Sequence, residues 1–164
     1  MSLLIKHVER AKKLEEEGRR IAFERDRPVG DEVLQWLDDV DATTTGLMHF
    51  FEKVMGEREW RGFAVALGWA AGVVRGEATY CKERGEKVGE CAMSPRVEGE
   101  VKDVDEAYRR ASGRTRCTWL LGVKKPYTLS AAVNDLAACL HRAVERAEEF
   151  LASWEREGKC MWRR

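Results

Sequence analysis

The sequence predicts an all-α protein, a bundle of about four to five helices with one long irregular loop. Two observations carry this. Apolar residues recur at three- and four-residue steps through most of the chain, the period of a helix with one buried face. No pair of alternating segments is found that could match as strands, and a lone strand has nothing to bond to. A length of 164 residues, 44% hydrophobic and 35% charged, fits one globular domain over 1–164.

In the first helix, Leu4, Val8, Ala11, Leu14, Ile21 and Ala22 give one apolar face between about Leu3 and Arg25. Pro28 and Gly30 then interrupt it. Asp31 is a suitable N-cap for a second helix, whose buried stripe is Val33, Leu37, Val40, Leu47, Phe51 and Val54. Within it, "DATTTG" combines β-branched residues and glycine and is expected to kink or divide the helix. After Gly56, the run from Phe63 to Val74 is apolar on all sides and predicts a central, fully buried helix. Ala64, Gly68, Gly72 and Gly76 form a ridge without bulky side chains, expected to admit another helix of the same chain. The polar stretch around Pro95 predicts an irregular loop over about 85–100, followed by a short helix in "VKDVDEAYRRA". "TRCTWLLGV" reads as helix or extended segment and "KKPYT" as a turn. The last helix repeats Val133, Leu136, Leu140, Val144, Ala147, Leu151 and Trp154. Tyr108, Tyr127 and the six tryptophans are expected to anchor the core.

The longest apolar run, 12 residues, is too short to span a bilayer, which needs ~20. Lys6, Glu9 and Arg10 occupy the position of an apolar signal core, so no signal peptide is expected. The chain holds a single glutamine (Gln35) and a single asparagine (Asn134) beside abundant Lys, Arg, Glu and Asp. That depletion of heat-labile amides points to a hyperthermophilic source. In such a cell intracellular disulfides persist. Cys81 and Cys91 flank a short polar loop that a disulfide could close, while Cys117, Cys139 and Cys160 cannot be paired from spacing. No CxxC or close Cys/His spacing suggests zinc, and no metal or other cofactor is expected.

No motif in the sequence names a catalytic chemistry, and a non-enzymatic role is expected. His49 with Glu52 and His141 with Glu145 stand one turn apart on two helices. They make a helical metal protein or enzyme the third alternative. The charge map is more informative. The formal net charge is zero, yet residues 28–106 carry −8 and residues 107–134 carry +6 with no acid. Arg109, Arg110, Arg114, Arg116, Lys124 and Lys125 form this basic segment, interleaved with Tyr108, Trp119 and Tyr127, a composition that suits a phosphate backbone. Equally, these side chains could pair with the acidic stretch of their own chain. Lys12, Lys13, Arg19 and Arg20 on the first helix are a second candidate surface, interrupted by Glu15, Glu16 and Glu17.

The basic first helix (Lys6 to Arg27), the segment "YRRASGRTR" and the long last helix resemble the coat proteins of filamentous viruses of hyperthermophilic archaea. That resemblance implies helical subunits that package double-stranded DNA in a helical assembly, within a virion or an archaeal cytoplasm. The neutral net charge is a departure from it. "ATTTGLMHFFEKV" (Ala42 to Val54) and the closing helix with Trp154 resemble the small α-helical subunit of type III CRISPR effector complexes. This alternative implies contact with RNA or single-stranded DNA within a hetero-oligomer, also without catalysis.

Overall fold

The computed structural model describes residues 2–119 and 125–162, with side chains at 5–119 and 125–156. Five α-helices follow in order among them: α1 (Ser2–Phe23), α2 (Asp31–His49), α3 (Arg58–Glu83), α4 (Pro95–Ser112) and α5 (Leu129–Trp162). A π-helical turn, Phe50–Val54, joins α2 to α3. Among the described residues there is no strand, and the all-α expectation holds. No described helix is long and apolar enough to cross a membrane.

Each amphipathic stripe finds a partner. Val8, Ala11, Leu14 and Ile21 of α1 are buried with Val33, Leu37 and Val40 of α2 and with Val133, Leu136, Leu140 and Val144 of α5. The side chain of Leu4 lies outside the described set. Trp36 enters α1 where Gly18 leaves space for it, since a methyl at Gly18 would sit 2.3 Å from the indole. Its Nε1–H donates to the Leu14 carbonyl at 2.8 Å, so the buried polar atom is satisfied. Phe51, Trp60, Phe63 and Tyr108 form an aromatic group between α3 and α4, their centroids 5.3–6.1 Å apart. At one end of the bundle three connections zip together. Val29 N–H donates to Glu86, Val88 N–H to Arg27, Met93 N–H to Tyr127 and Leu129 N–H to Cys91.

Several expectations are corrected. The irregular loop ends at Ser94, and α4 begins at Pro95 instead of near residue 100. Proline is favoured in the first turn, where its missing N–H costs nothing. Asp31 is not the N-cap of α2. Gly30 takes that place, and Asp31 in the first turn pairs with Lys82 at 2.5 Å, which lowers its pKa. "DATTTG" does not divide α2, which runs unbroken from Asp31 to His49 with the Thr44 and Thr45 hydroxyls donating to the Asp41 carbonyl within it. The irregularity comes later, in the π-turn, and its extra residue rotates Val54 off the buried stripe to 39% exposure. α3 is not buried on all sides: Val65, Trp69 and Tyr80 face outward. Of its small-residue ridge, Ala64 and Gly68 pack inside, while Gly72 and Gly76 open onto empty space.

Cys81 and Cys91 form the expected disulfide, and Cys117 and Cys139 form a second. Each closes a loop worth about 3 kcal/mol on the chain-entropy account. Cys160 lies outside the residues with described side chains.

Candidate nucleic-acid interface

The basic segment is not helical where it matters. α4 ends on Gly113, which adopts the left-handed conformation (φ 76°) that glycine accepts without strain. The chain then runs irregularly through Arg114, Thr115, Arg116, Cys117, Thr118 and Trp119. Three fastenings fix this path. The Cys117–Cys139 disulfide binds it to α5. The Asp105 carboxylate accepts the N–H groups of Cys117 (2.8 Å) and Thr118 (3.0 Å) and the Thr118 hydroxyl (2.5 Å). The Asp135 carboxylate accepts the Trp119 N–H (2.7 Å) and the Tyr127 hydroxyl (2.6 Å).

Asp135 is 1% exposed. Burial is the main cause that lifts its carboxyl to about 6; the bonds from Tyr127 and Trp119 oppose the rise, and the charge of Asp105 adds to it. The Tyr127 hydroxyl is raised as well, first by burial and then by the adjacent Asp135. A carboxylate buried at this cost, with its oxygens spent on one loop, is a structural clamp.

The expected contact residues divide into two sets. Arg109 donates to Glu106 at 3.1 Å and Arg110 lies 3.5 Å from the same carboxylate. Lys125 pairs with Glu98. On α1, Lys12 pairs with Glu148 at 2.5 Å, Arg19 with Glu15 at 3.0 Å, and Arg20 with Glu24 and Glu32. These bonds raise the pKa of Lys12 and of Arg20. Most of the basic side chains are therefore engaged by acids of their own chain. Arg114, Arg116 and Lys13 have no ion pair among the described residues, and all three are exposed. Lys124 lies outside the described residues.

Arg116 and Trp119 line a groove of about 480 Å³ with Arg19 of α1 and His141 and Arg142 of α5. Trp119 is 64% exposed there. Tyr108 and Tyr127, expected to share this surface, are buried and unavailable to a ligand. Arg114 faces a neighbouring cleft of about 670 Å³, where Arg58, Arg142 and Arg146 meet Glu57, Glu145 and Glu149 over Trp60. Arg142 and Arg146 escaped sequence reasoning because they sit in an acidic stretch of α5. Only their i,i+4 spacing could have placed them on one face.

A second open surface runs along α3. Val65, Trp69, Gly72, Gly76 and Tyr80 line a largely apolar groove of about 850 Å³, and Trp69 is 62% exposed. The helix periodicity that predicted burial reports only that a face is apolar, not what covers it.

The histidine pairs do not converge. His141 Nδ1 lies 2.8 Å from Glu15 and its Nε2 3.8 Å from Glu145, and this histidine bridges α1 and α5. Among the described residues, the groups of three with metal-ligand chemistry are Cys81–Glu86–Cys91 and Asp105–Cys117–Cys139. Both have their sulfurs in disulfides, and a disulfide sulfur is not a thiolate ligand. No known protein family, curated protein or solved structure matches the chain.

Proposed function

We propose that this chain is a non-catalytic structural subunit of a nucleoprotein assembly, holding a nucleic-acid backbone at Arg114 and Arg116. One observation carries the reading. While the arginines around them are taken up by carboxylates, these two project without one from a loop that a disulfide and two carboxylates fasten in place. A fixed loop with unneutralised guanidinium groups suits phosphate, because binding then releases counterions and orders little chain. The apolar groove along α3 supports membership in an assembly, since exposed apolar surface of this kind marks a site of protein contact. In a coat-protein setting the ligand is duplex DNA and the product a filament. In an effector-complex setting the ligand is RNA or single-stranded DNA and the particle is discrete.

The test is binding to nucleic acid across a salt series, with the double variant Arg114→Ala/Arg116→Ala beside the wild type. Loss of two phosphate contacts flattens the slope of log affinity against log salt by roughly 2. The variant's unfolding free energy stays within about 0.5 kcal/mol, as neither side chain has an ion-pair partner to lose among the described residues. Unchanged affinity and slope would remove these residues from the interface and the reading with them.

A further inference from the structure

The loop that carries the unpaired arginines also presents an indole. We infer that the ligand of this face is a single-stranded nucleic acid, one base of which stacks on Trp119 while an adjoining phosphate lies against Arg116. The inference rests on the nucleoprotein reading above and names its ligand class.

Three observations carry it. The first is an exposed aromatic side chain on a fastened stretch of backbone. Trp119 is 64% exposed, its backbone N–H donates to buried Asp135, and its neighbour but one, Cys117, is bonded to α5. Stacking a base on the ring then orders the indole but little further backbone, and an unpaired base offers the apolar face that the indole lacks. The second is the composition of the groove. Arg116 supplies a guanidinium without a carboxylate, while Arg19 and Arg142 are oriented by Glu15 and Glu145 at 3.0 Å and 2.9 Å. A volume of about 480 Å³ falls within the range of small-ligand sites, which suits a nucleotide-sized group.

The third is what surrounds the groove. Glu106 flanks Arg109 and Arg110 on one side, and Glu145 and Glu149 stand beside Arg142 and Arg146 on the other. A duplex presents rows of phosphates that such carboxylates repel, and its bases are already stacked on one another. A single strand crosses the positive gap with few phosphates and turns a base toward the ring. Stacking tolerates any base, so little sequence preference is expected.

The experiment uses the full chain with three fluorescent probes of about 12 nucleotides, within the usual site size: oligo(dT), oligo(U) and a mixed-sequence duplex. Both single strands are expected to bind more tightly than the duplex. Trp119→Ala lowers single-strand affinity by roughly 5- to 100-fold and Trp119→Phe retains most of it. Both variants keep the wild-type unfolding midpoint, so the loss is not one of folding. A preference between oligo(dT) and oligo(U) identifies DNA or RNA as the source and leaves the inference standing. If the duplex binds as tightly as the single strands, or Trp119→Ala has no effect while Arg114→Ala/Arg116→Ala weakens binding, the single-strand inference falls and the nucleoprotein reading survives. If no probe binds at low salt, both fall.

Discussion

At the residue scale, Asp135 trades stability for geometry. Its carboxyl ordinarily titrates near 3.8 and stands at about 6 in the fold. Above about pH 6 the native state bears the full cost of a buried charge. As pH falls from about 6 toward 3.8, the native state takes up the proton before the unfolded chain does, and that cost disappears. The wild type should therefore gain about 2 kcal/mol relative to Asp135→Asn between about pH 7.5 and about pH 4.5, read from urea unfolding. The comparison must be with the variant, because Glu32, whose pKa is lowered by hydrogen bonds from Arg20 and Arg27, contributes in the opposite direction. A constant difference across that range would show that the carboxyl is not raised. The sequence made the basic segment legible at this scale, because charge is written residue by residue. The i,i+3 and i,i+4 spacing of Glu106 to Arg109 and Arg110 within "VKDVDEAYRRA" was readable too, whereas the position of Arg116 on the loop beyond Gly113 was not, because it depends on where the chain turns after α4 ends.

At the scale of the element, α3 splits its own pattern. The four-residue ridge of small side chains was legible, but its two halves have different uses. A Cβ at Gly68 would lie 2.4 Å from the Thr44 hydroxyl, whereas one at Gly72 would meet nothing within 4 Å. Gly68→Ala should then destabilise by about 1–3 kcal/mol through overpacking against α2. Gly72→Ala should stabilise by about 0.5–1 kcal/mol, the ordinary gain of alanine over glycine inside a helix. Thermal or urea unfolding of the two variants separates them, and equal effects would contradict the packing of α2 on α3. The start of α4 was misread for a related reason. Pro95 marks a boundary either way, and only the position of Ser94 against Glu77 shows that the helix begins there. The π-turn has no sequence signature in "FFEKV" that distinguishes it from an ordinary helix end.

At the scale of the whole molecule, helical class was legible from periodicity because five stripes need partners and supply them to one another. The first disulfide was legible too, since Cys81 and Cys91 stand on either side of a short polar loop. The second was not, because Cys117 and Cys139 are joined by the return of the chain across α5, which spacing alone does not reveal. Their combined effect is topological. Seen from its two ends, the oxidised chain is shorter than its sequence: the disulfides short-circuit separations of 10 and 22 residues. A molecule stretched by its termini should thus come up about 110 Å short of the contour length reached after reduction, at ~3.4 Å per residue. Single-molecule pulling with and without reductant reads that difference directly, and identical lengths would mean open thiols. Under tension α1, α2 and α4 can be drawn out entirely, Arg114 and Arg116 with them, while the end of α3 from Cys81 onward stays inside the first disulfide loop. Trp119, Tyr127 and Asp135 lie inside the second loop, which force alone does not open.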